Sequence, residues 1–466
     1  MYLFSFSFFG KIGRWSRWKG VNDVKAQLET PHRKGTKKTL PEGWVTFGYQ
    51  YAISPTDEQK ERLNRAFGCE RKVYNEYVAH LYTELEASGF AGGFIRHKVP
   101  NYTEFTRRFA FLDRSNDSFV YNDAKRRFQA AVQKYNETFA RKPIQYKKKA
   151  RNRMNTEGYI PSIRDIKGLP QFHQKKNAKH SYTTNQTNQN IRVIHENGAV
   201  FLRVPKFPEG ISLQLHRPLP AEGLLKKATI RREGERYLVS LSIDFPSEKV
   251  EKKHNVSANK VIGLDYSQAD LYVDSEGRKA NYGRYYRLIE KRQRRMNKSL
   301  ARKKNAAPLD ENGTIQYSRT YQKQMNAYRA LLAKSKNQRK DFLHKRSYQI
   351  TNEYDAIVVE DLDLTNLAQM RKLGKNVHDN GFGMFRTMLQ YKAERNGKHY
   401  IVADRYFPSS KQCSQCGHLH DNLSLSDRVY VCQNDTCCTK IDRDYNAGLN
   451  LKHYGIRVLK EQGMTL

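Results

Sequence analysis

Seven residues stand out for chemistry that their types and spacing allow: four cysteines near the C-terminus and three carboxylates spread over the second half of the chain. Cys413-Ser-Gln-Cys416 has the spacing of a metal knuckle, and Cys432 with Cys437 supplies the other half of a four-thiolate site. The second knuckle is stretched. Asp435 stands where a Cys-x-x-Cys pair would have its second sulfur, and Cys438 adjoins Cys437, so Cys437 is the preferred fourth ligand and Cys438 the alternative. Gly417 and the Ser/Asp-rich stretch around these cysteines leave little apolar surface for burying free thiols, which is the competing reading. Four thiolates complete the shell, so the zinc expected here is structural. Cys69 and Cys438 are expected as ordinary free thiols.

Asp265 ends the apolar run Val261-Ile262-Gly263-Leu264, Glu360 ends Ile357-Val358-Val359, and Asp444 lies where Asp442-Arg443-Asp444-Tyr445-Asn446-Ala447 begins a helix. Singly, each is as well explained as a turn or helix cap. Together, carboxylates from two strand ends and one helix start can converge on one face, where hard divalent cations bind through oxygen. Two magnesium ions about 3.5–4 Å apart would activate water on one side of a phosphodiester and stabilise the leaving oxygen on the other. Asp361, Asp363 and Asp442 are assigned to capping or outer positions.

The elements that must hold these residues follow from periodicity. Residues 1–42 form a basic leader, and the first strand is Val45 to Ile53, within 43–56. Thr56 with Gln59 makes a capping box, and helical spacing of Leu63, Ala66 and Phe67, then of Phe128, Val132, Tyr135 and Phe139, marks a helical lobe. The Lys-, Asn- and Gly-rich stretch 143–180 reads as irregular structure, set against phosphate or simply solvated. From 181 to 250 the period is two, with short strands at regular intervals, so an antiparallel barrel or sandwich is expected, the 45–53 strand joining it and the helices of 57–180 inserted in it. After Pro246 the order becomes strand, hairpin, two long basic helices, strand, helix, strand, an α/β layout.

The chain has 466 residues, enough for several domains, and a formal charge of +37 from 84 Lys and Arg against 47 Asp and Glu. Such a charge needs a polyanion to offset it. The basic residues are interleaved with 29 Tyr and 22 Phe, a mixture suited to phosphate contact and base stacking, so nucleic acid is the expected partner. Within 291–304, eight of fourteen residues are cationic with no acid among them, which favours a phosphate-contacting face over a merely solvated one. The cysteine usage suits a reducing cytoplasm. The apolar opening Met1 to Phe9 has its charges after it and no small-residue cleavage site, so neither a signal peptide nor a membrane span is expected.

With these motifs in view, the sequence resembles the TnpB family of transposon-encoded RNA-guided nucleases and the related compact type V CRISPR effectors, over about residues 45–456. The strings that carry the resemblance are Gly263-Leu264-Asp265-Tyr266-Ser267, Asn337 to Lys345, Val358-Val359-Glu360-Asp361-Leu362, Arg405-Tyr406-Phe407-Pro408-Ser409-Ser410-Lys411 leading into Cys413-x-x-Cys416, Leu423 to Arg428, and Asp442 to Ala447. The resemblance implies a multi-domain α+β and α/β protein. Its parts would be an oligonucleotide-binding-type β-barrel (wedge) domain over 43–56 and 181–250, an inserted helical recognition lobe over 57–180, an RNase H-like RuvC nuclease domain over 255–411, a zinc ribbon over 412–440, and a closing RuvC segment over 441–466. It implies a catalytic triad of Asp265, Glu360 and Asp444 with magnesium. It also implies a guide RNA and a double-stranded DNA target chosen by base pairing plus a short flanking motif, the protein acting as a monomer or homodimer on one RNA in a prokaryotic, nucleoid-associated setting. Two other readings are a strand-joining transposase and a nuclease-dead repressor. The first lacks a visible separate end-binding domain, and the second sits poorly with three intact carboxylates.

Overall fold

The computed structural model describes residues 44–465 except 142–143, 175–179, 221–222, 247–251, 312, 314, 371–373 and 425–426. The basic leader therefore lies outside the described residues, as do Lys175 and Lys176. The chain divides into two units, one ending at Pro246 and the other beginning at Ser247.

In the first unit, strand β1 (Trp44–Ser54) leads into helix α1 (Asp57–Ala87), whose capping box is formed by Thr56 and Gln59. Helices α2 (Tyr102–Arg108), α3 (Ser118–Arg141) and α4 (Lys148–Glu157) follow, then strands β2 (His180–Asn185), β3 (Arg192–Glu196), β4 (Ala199–Val204), β5 (Phe207–Gln214), β6 (Leu224–Glu233) and β7 (Arg236–Pro246). Helix α4 corrects the irregular reading of 143–180: Lys148 to Glu157 is a run rich in good helix formers, and Gly158 ends it in the left-handed conformation.

The seven strands form one antiparallel sheet in the order β2-β6-β7-β1-β5-β4-β3. No closed barrel exists among the described residues: β2 pairs with β6 and β3 with β4, and the two edges do not meet. The reason lies in what covers the apolar face. Tyr49, Tyr51, Ile53 and Tyr182 of the sheet share one continuous core with Leu63, Phe67, Val73 and Tyr77 of α1 and Phe128 of α3. With its apolar face covered by helices, the sheet has no need of closure to bury it.

In the second unit, β8 (Val261–Ser267) and β9 (Leu271–Asp274) form the hairpin, α5 (Tyr285–Asn305) and α6 (Arg319–Glu353) are the long basic helices, and β10 (Ala356–Glu360) follows. Then come α7 (Leu364–Gln369), α8 (Gly374–Asn380), α9 (Phe382–Arg395), β11 (His399–Ala403), the short strands β12 (Val429–Val431) and β13 (Lys440–Asp442), and α10 (Arg443–Glu461). The sheet order is β11-β10-β8-β9, with β8, β10 and β11 parallel and β9 antiparallel.

Alternation sends successive residues to opposite faces of this sheet. Ile262, Leu264, Ile357 and Val359 pack with Leu343 of α6 and Phe385 and Leu389 of α9, whereas Val261, Ala356 and Val358 pack with Leu451 and Leu459 of α10. The face that meets α10 is the one on which Asp265 and Glu360 must emerge.

Candidate active site and metal centre

Register places the first two carboxylates side by side. Val359 is paired with Leu264 in the parallel β8–β10 ladder, so Glu360 and Asp265 are the next residues at the same rim. Counting by twos from Val261 and Val358 puts both on the α10 face. Asp444 comes to that rim in the first turn of α10, beneath the N-cap Asp442, whose carboxylate accepts from the Asp444 and Tyr445 amides at 3.0 Å.

Two glycines allow the helix to lie this close. A Cβ on Gly263 would stand 2.1 Å from the carbonyl oxygen of Gly448, and one on Gly448 would stand 2.9 Å from the backbone of Asp274. Both neighbours are main chain and cannot swing aside, so any side chain at either point would push α10, and Asp444 with it, off the sheet.

Burial and like charge dominate the electrostatics. Asp265 is 8% exposed, and burial first, then the Glu360 and Asp444 carboxylates, hold its pKa well above the usual range. Burial likewise raises Glu360, with Asp444 adding to the shift, while a hydrogen bond donated by the Ser409 hydroxyl opposes it. Asp444 is raised by burial and by Asp442. Arg443 eases all three, and Arg386 eases Glu360, without offsetting these effects.

Three oxygen-ligand groups that repel one another at a buried rim fit a site for hard divalent cations, whose charge would favour their ionised forms. Among the described residues, the groups whose ligand atoms all lie within 4.8 Å of one another are the four cysteines and a His80, Glu84, His97 cluster. The three carboxylates are spread more widely than that.

Sequence reasoning missed the residues that support the rim. The Ser409 carbonyl accepts from Asn450 Nδ2 at 2.8 Å, and the same amide donates to the Gln412 carbonyl at 2.6 Å. Asn446 bridges the Ser414 amide (2.9 Å) and the Gln412 carbonyl (2.7 Å). Helix α10 thus fixes the 409–414 loop that both orients Glu360 and leads into the first cysteine knuckle. Asn446 and Asn450 are four apart on an otherwise apolar helix face, and buried asparagines at that spacing were the available signal. Of the outer carboxylates, Asp363 caps α7 and Asp361 accepts from Arg405 at 2.7 Å.

The cysteine cluster joins Cys413, Cys416, Cys432 and Cys437. Sγ separations are 3.8 Å for Cys413–Cys437 and 3.5 Å for Cys416–Cys432. Four sulfurs at about 2.3 Å from a tetrahedral zinc stand about 3.8 Å apart, so the donor set fits that ion. The stretch in the second knuckle is a turn organised by Asn434: its side chain accepts from Thr436, and its carbonyl accepts from the Cys437 amide at 2.9 Å. Cys438 lies outside the cluster, exposed, with φ of +46° and its thiol donating to the Asp435 carbonyl. Beside the cluster, β12 and β13 form a two-stranded ribbon, Tyr430 opposite Ile441.

The basic helix α5 leaves Lys291, Arg292, Arg294, Arg295, Lys298, Arg302 and Lys304 exposed. No helix among the described residues is long and apolar enough to cross a membrane.

The second unit is an α/β sheet with acids at the ends of two parallel strands and a four-cysteine cluster that could hold a metal ion. Comparison with known proteins shows what the chain is similar to. A model described as Cas12f1-like, TNB domain, matches residues 382–451, one described as probable transposase matches 244–371, and one described as helix-turn-helix domain matches 45–89. A Streptomyces pristinaespiralis protein named as a candidate RNA-guided DNA endonuclease is 26% identical over 415 residues, 88% of this chain and 90% of the relative. InsQ of Escherichia coli K12, named likewise, is 25% identical over 58% of this chain and 65% of its own length. The solved Cas12f1–sgRNA–target DNA complex aligns with 88% of this chain and 99% of its own at 12% identity and a TM-score of 0.47. The chain is thus similar to the RNA-guided endonucleases of the TnpB type and, over 382–451, to the Cas12f1-like TNB domain. In the segment matched by the helix-turn-helix description, the structure has a strand and one unbroken 31-residue helix.

Proposed function

We propose that this chain is an RNA-guided DNA endonuclease that hydrolyses phosphodiester bonds of a target selected by guide-RNA pairing and a short flanking motif. The observation that carries the reading is the convergence of Asp265, Glu360 and Asp444 on the α10 face of the parallel rim, in a chain whose full-length relatives are named as RNA-guided DNA endonucleases.

In this reading 255–411 and 441–466 form the RNase H-like RuvC domain, 412–440 a zinc ribbon, and the first unit a wedge sheet with a helical recognition lobe. Magnesium held by the triad would supply water activation and leaving-group stabilisation. Asp265, on the central strand pair and nearly buried, would be one ligand. Glu360 is held in its rotamer by the Ser409 hydroxyl. Asp444 is set by the cap of its own helix. Arg443 and Arg386 temper the negative charge so that a phosphodiester can approach. The exposed cations of α5 would contact nucleic-acid backbone. Cys413, Cys416, Cys432 and Cys437 would hold one structural zinc, which closes the ribbon next to the 409–414 loop. The unbroken α1 gives no support to a helix-turn-helix that reads transposon ends, and the intact triad weighs against a binding-only repressor.

The test is Asp265→Ala in the RNA-bound protein, with magnesium and a matched target. Cleavage is expected to fall by about three orders of magnitude, as loss of several kcal/mol of transition-state charge stabilisation requires, while target binding persists. Undiminished cleavage would remove Asp265 from the site. Sequencing of the co-purified RNA tests guidance separately: a discrete species is expected, and its absence would defeat the guide assignment alone.

A further inference from the structure

Outside the carboxylate rim and the cysteine knuckle, one more group of ligand-type side chains converges among the described residues, in the first unit. His80 and Glu84 are one turn apart on α1 and share a face of that helix. His97 reaches the same point from the segment between α1 and α2, and one ligand atom from each of the three lies within 4.8 Å of the others.

Glu84 is approached from both sides: its Oε2 meets His97 Nδ1, and its Oε1 lies 3.5 Å from His80 Nδ1. The second distance is longer than a good hydrogen bond. It is close to the separation of about 3.4 Å expected for two donors about 2.1 Å from one tetrahedral ion. Among the described residues, His80 Nδ1 is shielded from solvent without a hydrogen-bond partner. The His97 side chain is 1% exposed, and its Nε2 has no partner among them either.

The His97 segment is held in place independently of this contact. Asn136 of α3 clamps the Ile95 backbone through both its amide (2.9 Å) and its carbonyl (3.0 Å), and the His97 ring sits edge-on to Phe128 at 5.7 Å. A buried imidazole fixed in this way toward a carboxylate and a second imidazole has lost its side-chain freedom before anything binds, which lowers the cost of ligation.

We propose that His80 Nδ1, Glu84 and His97 Nδ1 bind one divalent transition-metal ion of the zinc class, pinning the segment between α1 and α2 onto α1. Two imidazoles and one carboxylate favour such an ion over magnesium. Ligation takes neutral imidazoles and an ionised Glu84, so any proton on the ligating atoms is released to solvent, and a fourth position is left for water or another ligand. The site uses no residue of the proposed nuclease centre and stands whether or not that reading holds.

The experiment is metal analysis of the full chain, prepared in zinc or cobalt and freed of loosely bound ion. Wild type is expected to retain two equivalents of zinc, and His97→Ala and His80→Ala one each. In cobalt-loaded wild type, sulfur-to-metal charge-transfer bands from the knuckle are accompanied by weaker bands of a nitrogen and oxygen site, and the histidine variants lose only the latter. The His80 side chain is 39% exposed, so its removal leaves the core intact if the His97 variant fails to fold. A wild type whose cobalt spectrum carries thiolate bands alone, or a zinc content unchanged in both variants, would overturn the proposal and leave a hydrogen-bonded His–Glu–His cluster.

Discussion

The two main sheets of this chain are built from similar apolar strands and place polar groups in opposite ways. In the seven-stranded sheet of the first unit every neighbour is antiparallel, so adjacent strands end at opposite rims and no two neighbours bring their C-termini side by side. Its covered face carries tyrosines and aliphatics packed under α1 and α3. In the four-stranded sheet of the second unit β8, β10 and β11 are parallel and end at a common rim, the place where open α/β sheets present ligand-binding groups. Strand direction, more than composition, decides which sheet can assemble a carboxylate site.

That contrast can be broken most forcefully at the contact between β8 and α10. Gly263→Ala should destabilise the second unit by about 3 kcal/mol or more, because the new methyl group meets backbone on a helix that cannot step back. Denaturant unfolding would show it as loss of the second unit's transition with the first unit's retained. Equal loss in both transitions would mean that the close approach is not local.

The first unit has its own buried acid, and it behaves differently. Glu70 lies against Arg127 at 2.6 Å, yet burial, the largest influence, raises its pKa to about 7. The folded value is above the unfolded one, so the protonated form favours the native state. The stabilisation is fully present below about pH 4.5 and is lost as pH rises through about 7. Relative to wild type, Glu70→Gln should therefore gain stability across that window, by up to about 3 kcal/mol. Urea unfolding at successive pH values reads the difference, and a gap that stays constant with pH would show that the Arg127 pair keeps Glu70 ionised throughout.

A smaller effect is expected at Ser409. Removing its hydroxyl in Ser409→Ala frees Glu360 from the one side-chain hydrogen bond it accepts among the described residues. Single-turnover cleavage should slow about tenfold with target binding unchanged, the worth of one hydrogen bond to a charged group. An unchanged rate would assign the contact to the ribbon approach alone.

Much of this was legible in the residues. The runs ending at Asp265 and Glu360 read as buried strands because parallel strands covered on both faces are continuously apolar, and the capping box at Thr56 announced α1. The face on which the acids emerge was not legible, since it depends on the register of Leu264 against Val359 and on two glycines whose purpose appears only when a helix lies across them. The strands of the first unit were legible as well, but their edges were not: period-two patterning records a covered face without saying whether a helix or more sheet covers it. Ser409, in a loop, has no period to betray it. His97 lies 13 residues beyond Glu84, outside the helical spacing that pairs Glu84 with His80.

The central claim is that three carboxylates from two strands and one helix act as a single site. Single-turnover DNA cleavage by the RNA-bound protein, measured for Asp265→Ala, Glu360→Ala, Asp444→Ala and the triple variant with target binding followed in parallel, tests it most directly. Residues that act as a unit should each cost nearly as much alone as all three do together, with binding preserved in every case. A single variant that cleaves at the wild-type rate, or three losses that simply multiply to the triple, would contradict it.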